Sequence, residues 1–275
     1  MRISPHLLLY FLQKNLEVSF FCIIFVVLKQ MRSICYFYYM RIKVKFKANE
    51  TPIESVMNSH INGFVNKVLG ENNKWHGKFS PYSVSGMYGG VLYDDKSFQY
   101  PNGGYFIVAS SNAEFIGDFL KGLLSLDDDS KVLSMPFDGF EPYDIKPMSD
   151  YSIVTLENVY LQKKEKNHKK EVYTFENCDD YLDKLLENSV KKLIKEGISE
   201  RAAKSIKFSP HHPEKWNVKY CKYKMKDNHP LINKVSNIKL YVTGNKKARK
   251  MLFDMGVGNS TGFGFGFARL NEDNE

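Results

Sequence analysis

Gly256-Val257-Gly258-Asn259-Ser260-Thr261-Gly262-Phe263-Gly264-Phe265-Gly266-Phe267 lies near the end of a chain of 275 residues. Glycine tolerates positive φ and lets a second backbone approach closely. A run of backbone N–H groups in such a loop forms a concavity for anions. Five glycines within eleven residues are too many for a plain turn and edge strand. No Lys-Ser or Lys-Thr follows, and the order is helix, loop, strand. A Walker or Rossmann nucleotide loop needs the reverse order.

The elements around the loop define the second half of the chain. Asn245 is placed to cap a helix to Met255, and Phe263 to Leu270 reads as a closing strand. Upstream, Ser152 to Leu161, Asn217 to Lys226 and Asn237 to Thr243 read as strands. Lys163 to Lys170 reads as a charged hairpin loop. Asn177 is expected to cap a helix with Asp179 and Asp180 in its first turn. Leu182, Leu185, Leu186, Val190 and Leu193 form its apolar face, and Gly197 ends it.

The first half repeats this order. Arg41 to Lys47 alternates basic and apolar residues, the period of a half-buried strand. Thr51-Pro52-Ile53-Glu54 reads as a capping box opening a helix. That helix carries Ile53, Val56, Met57, His60, Ile61, Phe64, Val65 and Val68 up to Gly70. Phe79 to Ser85, Gly89 to Tyr93, Gly104 to Ala109 and Lys131 to Tyr143 are strand-like. Ser111 to Glu114 is a second capping box, before Phe115, Ile116, Phe119, Leu120 and Leu123. Strand, helix, hairpin, strand, helix, strand is the βαββαβ unit. The expected fold is therefore α+β, two tandem ferredoxin-like domains over 40–145 and 146–275.

Residues 1–39 stand apart. Their apolar run from Val18 to Leu28 is about half of a membrane span. They read as an extension before a natural start at Met40, as a membrane-associating segment, or as a packed terminal element. Lys and Arg number 39 against 31 Asp and Glu, a net charge of +8. The 146–275 half holds 25 of those basic residues against 17 acidic ones, whereas 40–145 holds 10 against 13. The second half therefore attracts polyanions. Trp216, Tyr220 and Tyr223 interleave with its lysines, which suits base stacking beside phosphate contacts. The four cysteines form no CxxC pair, so a disulfide scaffold or zinc ribbon is not expected, and a reducing cytoplasmic setting fits. His211, His212, Cys221 and His229 match no zinc spacing.

The two Gly-apolar-Gly pairs around a polar spacer, in a basic protein of two such halves, resemble the RAMP superfamily. Within it the chain resembles the CRISPR-associated Cas-six endoribonucleases. The spacer reads as Asn259 to Phe263 before Gly264-Phe265-Gly266, or as Asn259 to Thr261 before Gly262-Phe263-Gly264. Arg41 to Phe46 resembles the family's opening strand, and His60-Ile61-Asn62-Gly63-Phe64 its first helix. Trp75-His76-Gly77-Lys78-Phe79-Ser80-Pro81-Tyr82-Ser83 resembles its segment where a histidine precedes a Phe/Tyr-Ser strand. The likeness covers roughly 40–270.

The resemblance implies cleavage of precursor CRISPR RNA within its repeats, without metal or cofactor. A ribose 2′-hydroxyl attacks the adjacent phosphate, leaving a 2′,3′-cyclic phosphate and a 5′-hydroxyl. It implies His76 as the proton-transfer residue and Lys78 as a phosphate contact. Histidine titrates near neutrality and serves either proton role. Tyr82 and Ser83 are secondary candidates for orienting substrate, and His60 is the rival histidine. Asn66 stands near the place where some relatives carry a tyrosine. RNA contacts are expected at Lys204, Lys207, Lys246, Lys247 and Arg249, and at Gly256, Gly258, Asn259, Ser260, Gly262 and Gly264 of the loop. The implied partners are the CRISPR repeat RNA, other Cas effector subunits and a second copy in a homodimer, not DNA. A non-cutting RNA-binding subunit of an effector complex is the alternative.

Overall fold

The computed structural model describes residues 41–49, 51–54, 58–70, 72–75, 80–95, 97–127, 129–143, 152–163, 171–224 and 230–270. Strand β1 (Arg41–Phe46) sits inside a five-stranded antiparallel sheet with β3 (Tyr82–Val84), β6 (Gly104–Ser110), β7 (Lys131–Val132) and β8 (Met135–Pro142). The spatial order is β3-β6-β1-β8-β7. The alternation in β1 decides its faces. Ile42, Val44 and Phe46 are buried under helices α1 (Asn58–Leu69) and α2 (Ala113–Leu124), while Lys43 and Lys45 reach Glu141 on β8 at 3.0 and 2.9 Å. The two helices approach closely at Gly122, where a Cβ would lie 1.9 Å from the Val68 carbonyl oxygen.

Two helix starts of the first half differ from the sequence reading. Ile53 and Glu54 form strand β2 (Ile53–Glu54), paired with β5 (Ser97–Gln99), which in turn pairs with β4 (Val91–Leu92). Pairing satisfies the backbone there, and Ile53 packs on the core, so the described helix opens at Asn58. At α2 the cap is Asn112, whose Oδ1 accepts from the Glu114 and Phe115 amides. The Ser111 hydroxyl is used elsewhere, donating to Asp254.

The second half repeats the topology. Strands β9 (Ser152–Val159), β12 (Lys207–Pro210), β14 (Pro230–Thr243) and β15 (Phe267–Leu270) order as β12-β14-β9-β15, all antiparallel. With the added strands β7 and β13 (Asn217–Lys224) set aside, both sheets read second, third, first, fourth strand in chain order, the arrangement of a ferredoxin-like unit. Strand β13 adds a long hairpin with the first half of β14. The short pair β10 (Leu161–Gln162) and β11 (Val172–Tyr173) closes the charged hairpin, whose tip lies outside the described residues. Helices α3 (Tyr181–Lys195), α4 (Glu200–Lys204) and α5 (Lys246–Met255) complete it.

Asn245 caps α5 as read, accepting from the Ala248 amide at 3.1 Å. Asn177 does not cap α3. It closes the preceding turn through the Thr174 amide, and Asp180 takes the cap position. The closing strand is shorter than read, because Thr261–Phe263 winds into a 3-10 turn.

The halves share buried contacts. Arg41, expected on the basic face of β1, is 2% exposed. Its guanidinium donates to the Phe253 and Ala268 carbonyls, lies 3.7 Å from the Phe253 ring centre and faces Asp254 at 3.6 Å. Asp254 also receives Ser111 and Lys250, and its carbonyl takes the Ser83 hydroxyl. Ile107 and Ala109 meet Phe267 alongside. The helix-free face of the first sheet is thus covered in part by α5 and β15. Among the described residues, no helix is long and apolar enough to cross a membrane.

Candidate nucleic-acid interface

A cleft of about 600 Å³ opens between the halves. Asn62 and Asn66 of α1 form one wall, with Trp75, Ser80 and Tyr82 beside them. Asn188, Lys191, Lys192 and Lys195 of α3 form the other, and the loop from Gly258 to Phe263 crosses it. The α3 residues follow spacing i, i+3, i+4, i+7, so they share one helix face.

The loop's shape comes from its glycines. Gly256, Gly258, Gly264 and Gly266 all have positive φ, between 62° and 90°, while Gly262 does not. This favours the register with two equivalent pairs, Gly256-Val257-Gly258 and Gly264-Phe265-Gly266. Gly262 serves a different end: a Cβ there would meet Ser80 Oγ at 2.6 Å and the Tyr82 ring at 2.8 Å.

Donors from both halves hold the loop. Asn58 Nδ2 donates to the Gly264 carbonyl at 2.9 Å and Asn62 Nδ2 to that of Gly262 at 3.2 Å. Asn66 steadies Asn62 at 2.8 Å, so a row at i, i+4, i+8 on α1 faces the loop. From the other half, Lys192 Nζ reaches the carbonyls of Gly256 at 3.1 Å and Gly258 at 3.3 Å, and Thr261 Oγ1 at 3.4 Å. Thr261 Oγ1 passes the chain of bonds to the Tyr82 carbonyl. Lys192 is 7% exposed, and burial draws its ammonium down to about 7. Lys191 and Lys195 are exposed beside it, and Lys191 pairs with Glu187. The arrangement offers cations and a rigid backbone turn to an anion.

The site residues expected from sequence scatter across the molecule. His76 and Lys78 lie outside the described residues, although Trp75 and Ser80 on either side of 76–79 both line the cleft. Tyr82 lines it too, stacked 4.1 Å from Phe115, with burial pushing its hydroxyl up to about 12. Ser83 does not reach it: the side chain is fully buried and bonded to Asp254. Gly258, Asn259, Ser260 and Gly262 face the cleft, whereas Gly256 and Gly264 are among its buried supports. Lys204, Lys207, Lys246 and Lys247 are exposed near the far end of α5, roughly 15 Å of helix away from the loop. Arg249 departs from the expected surface role. It is 2% exposed and its Nε donates to the Gly244 carbonyl, because it lies on the core side of α5.

The sequence reading missed Asn58, Asn62, Lys191, Lys192 and Lys195. Their spacing on single helix faces was the available signal, but only the fold sets those faces against one loop.

Residues 145–270 match the model of the family CRISPR associated protein Cas6, C-terminal. The carboxy-terminal half is thus similar to a Cas6 C-terminal domain. Three solved structures share the fold over most of the chain. One, described as an RAMP protein binding different RNA substrates, has a TM-score of 0.69 at 14% identity, covering 85% of this chain and 100% of its own. A Cas6-related protein from Pyrococcus furiosus has 0.68 at 16% identity, covering 86% and 99%. A CRISPR associated protein Cas6 has 0.63 at 19% identity, covering 85% and 100%. No curated protein matches the chain. The Cas6 match includes α3 and the glycine loop, which supply one wall of the cleft and the turn that crosses it.

Proposed function

We propose that this protein is a metal-independent endoribonuclease that cuts precursor CRISPR RNA within its repeats. The observation that carries this reading is the cleft itself. A Cas6 C-terminal domain supplies its loop and three lysines, and the residues flanking His76 and Lys78 line its other wall. RNA phosphates would sit on the loop and on Lys191 and Lys195, with a base against Trp75. The flanking strand would run toward Lys204, Lys207, Lys246 and Lys247.

In the proposed reaction a base takes the proton of the ribose 2′-hydroxyl. The 2′-oxygen bonds to phosphorus, the bond to the 5′-oxygen breaks, and an acid protonates that leaving oxygen. His76 would fill one proton role, worth about 10²–10⁴ in rate. Lys78 would stabilise the developing charge. Asn66 favours a second reading, an RNA-binding subunit that does not cut. Its amide donates to Asn62 and is neither an acid nor a base near neutral pH.

The test is a labelled repeat RNA in EDTA, with wild type, His76→Ala and a substrate bearing a 2′-deoxy group at the cut site. Cleavage lost in both altered lanes supports the nuclease. Tight binding without cutting by the wild type replaces it with the binding subunit.

A further inference from the structure

Lys192 is a charged residue on a buried helix face. It follows Ser189 by three residues, beside Leu185 and Leu193, which are fully buried. Lysine is almost never so buried unless it is well bonded, and removing its charge from water is expensive. Here the ammonium reaches three loop acceptors, two of them carbonyls of the first Gly-X-Gly pair. An amine on a flexible four-carbon stem, rather than a fixed fork, can satisfy such a curved set of acceptors. The same residue lines the cleft floor between Lys191 and Lys195.

We infer that Lys192 is a positioning residue of the RNA cleft, its ammonium clamping the glycine loop in the shape that receives a phosphate. The inference rests on the proposed RNA-binding role of this cleft. Among the described residues, the titratable groups beside it include Lys191 and Lys195 on its own helix, Glu196 at that helix's C-cap and the neutral Tyr82 hydroxyl across the cleft; the loop's own sequence carries no charged residue. Glu196 opposes the loss of the proton, while burial promotes it. Protonation and loop shape are therefore linked near neutral pH. A phosphate bound beside the ammonium favours the charged form, so RNA binding takes up a proton. Each unit by which RNA raises the lysine's pKa changes affinity by up to about tenfold across the titration.

The experiment measures affinity for a 2′-deoxy-blocked repeat RNA by fluorescence anisotropy from pH 6 to 9. Wild type, Lys192→Met and Lys192→Arg are compared, with circular dichroism melts to confirm folding. Hydrogen exchange of the 256–262 amides is followed without RNA. Wild-type affinity is expected to fall several-fold as pH rises. Lys192→Met should bind about tenfold more weakly with the pH dependence flattened, and exchange at 256–262 should quicken. Lys192→Arg, charged throughout, should lose the pH dependence while keeping more of the affinity. A folded Lys192→Met with wild-type affinity and pH profile would overturn the inference. So would unchanged exchange at 256–262. Failure of the wild type to bind repeat RNA would instead overturn the functional reading, and exchange alone would then decide the clamp.

Discussion

Replacing Asp254 with alanine strips the counter-ion from Arg41, a guanidinium 2% exposed between the two halves. Arg41 keeps its carbonyl acceptors at Phe253 and Ala268 but loses its anion. Burial already draws the guanidinium down to about 10, with Asp254 opposing that shift, so it stays charged at neutral pH and cannot escape by deprotonation. Ser111 and Lys250 lose the same carboxylate. Removing one member of such a buried pair costs about 3–5 kcal/mol. At roughly 2–4 °C per kcal/mol for a unit of this size, the melting temperature should fall by about 6–20 °C. Arg41→Met should also destabilise, because it leaves Asp254 buried without its guanidinium. The double variant should lose less than the sum, with a coupling of roughly 1–3 kcal/mol. Urea denaturation of the four proteins at pH 7 measures the cycle. A loss below about 1 kcal/mol for Asp254→Ala, or strict additivity, would refute the claim that this pair joins the halves.

Gly262→Ala should cost about 1–3 kcal/mol by overpacking against Ser80 and Tyr82, and should weaken repeat-RNA binding; thermal melts and anisotropy read the two effects. Lys191→Ala with Lys195→Ala should lower the slope of log affinity against log salt by about 1–2, measured by titration between low and moderate salt. The Lys192 ammonium titrates near 7 in the folded chain against 10.5 in its absence, so the unfolded chain holds more protons between those values. Stability contributed by this group should therefore rise with pH from about 7 to 10.5, and Lys192→Met should remove that rise in urea midpoints. Trp75 lines the cleft and Trp216 packs on Phe175, so in Trp216→Phe protein the remaining fluorescence should change when repeat RNA binds.

Where local pattern and tertiary packing agree, the sequence alone was enough. The alternation of Arg41 to Phe46, the Asn245 cap and Gly197 at the end of α3 were all readable, because each depends on neighbours a few residues away. The order of strands and helices then determined two ferredoxin-like units, since few antiparallel topologies accommodate it. Choices between equivalent local solutions were not readable. Thr51 could cap a helix, yet β2 pairs with β5 there. Ser111 and Asn112 could each cap α2, and Asp254 of the other half takes Ser111.

The cleft belongs wholly to this second class. Asn58 and Lys192 lie 134 positions apart, and nothing in either helix announces that both donate to one loop. Arg41 and Arg249 read as surface cations because a charge pattern counts residues, not the neighbours that cover them. The sequence by itself determined the units and the presence of a glycine loop. The tertiary structure decided which glycines bend it and which donors hold it, because hydrogen bonds between distant segments depend on position in space rather than along the chain.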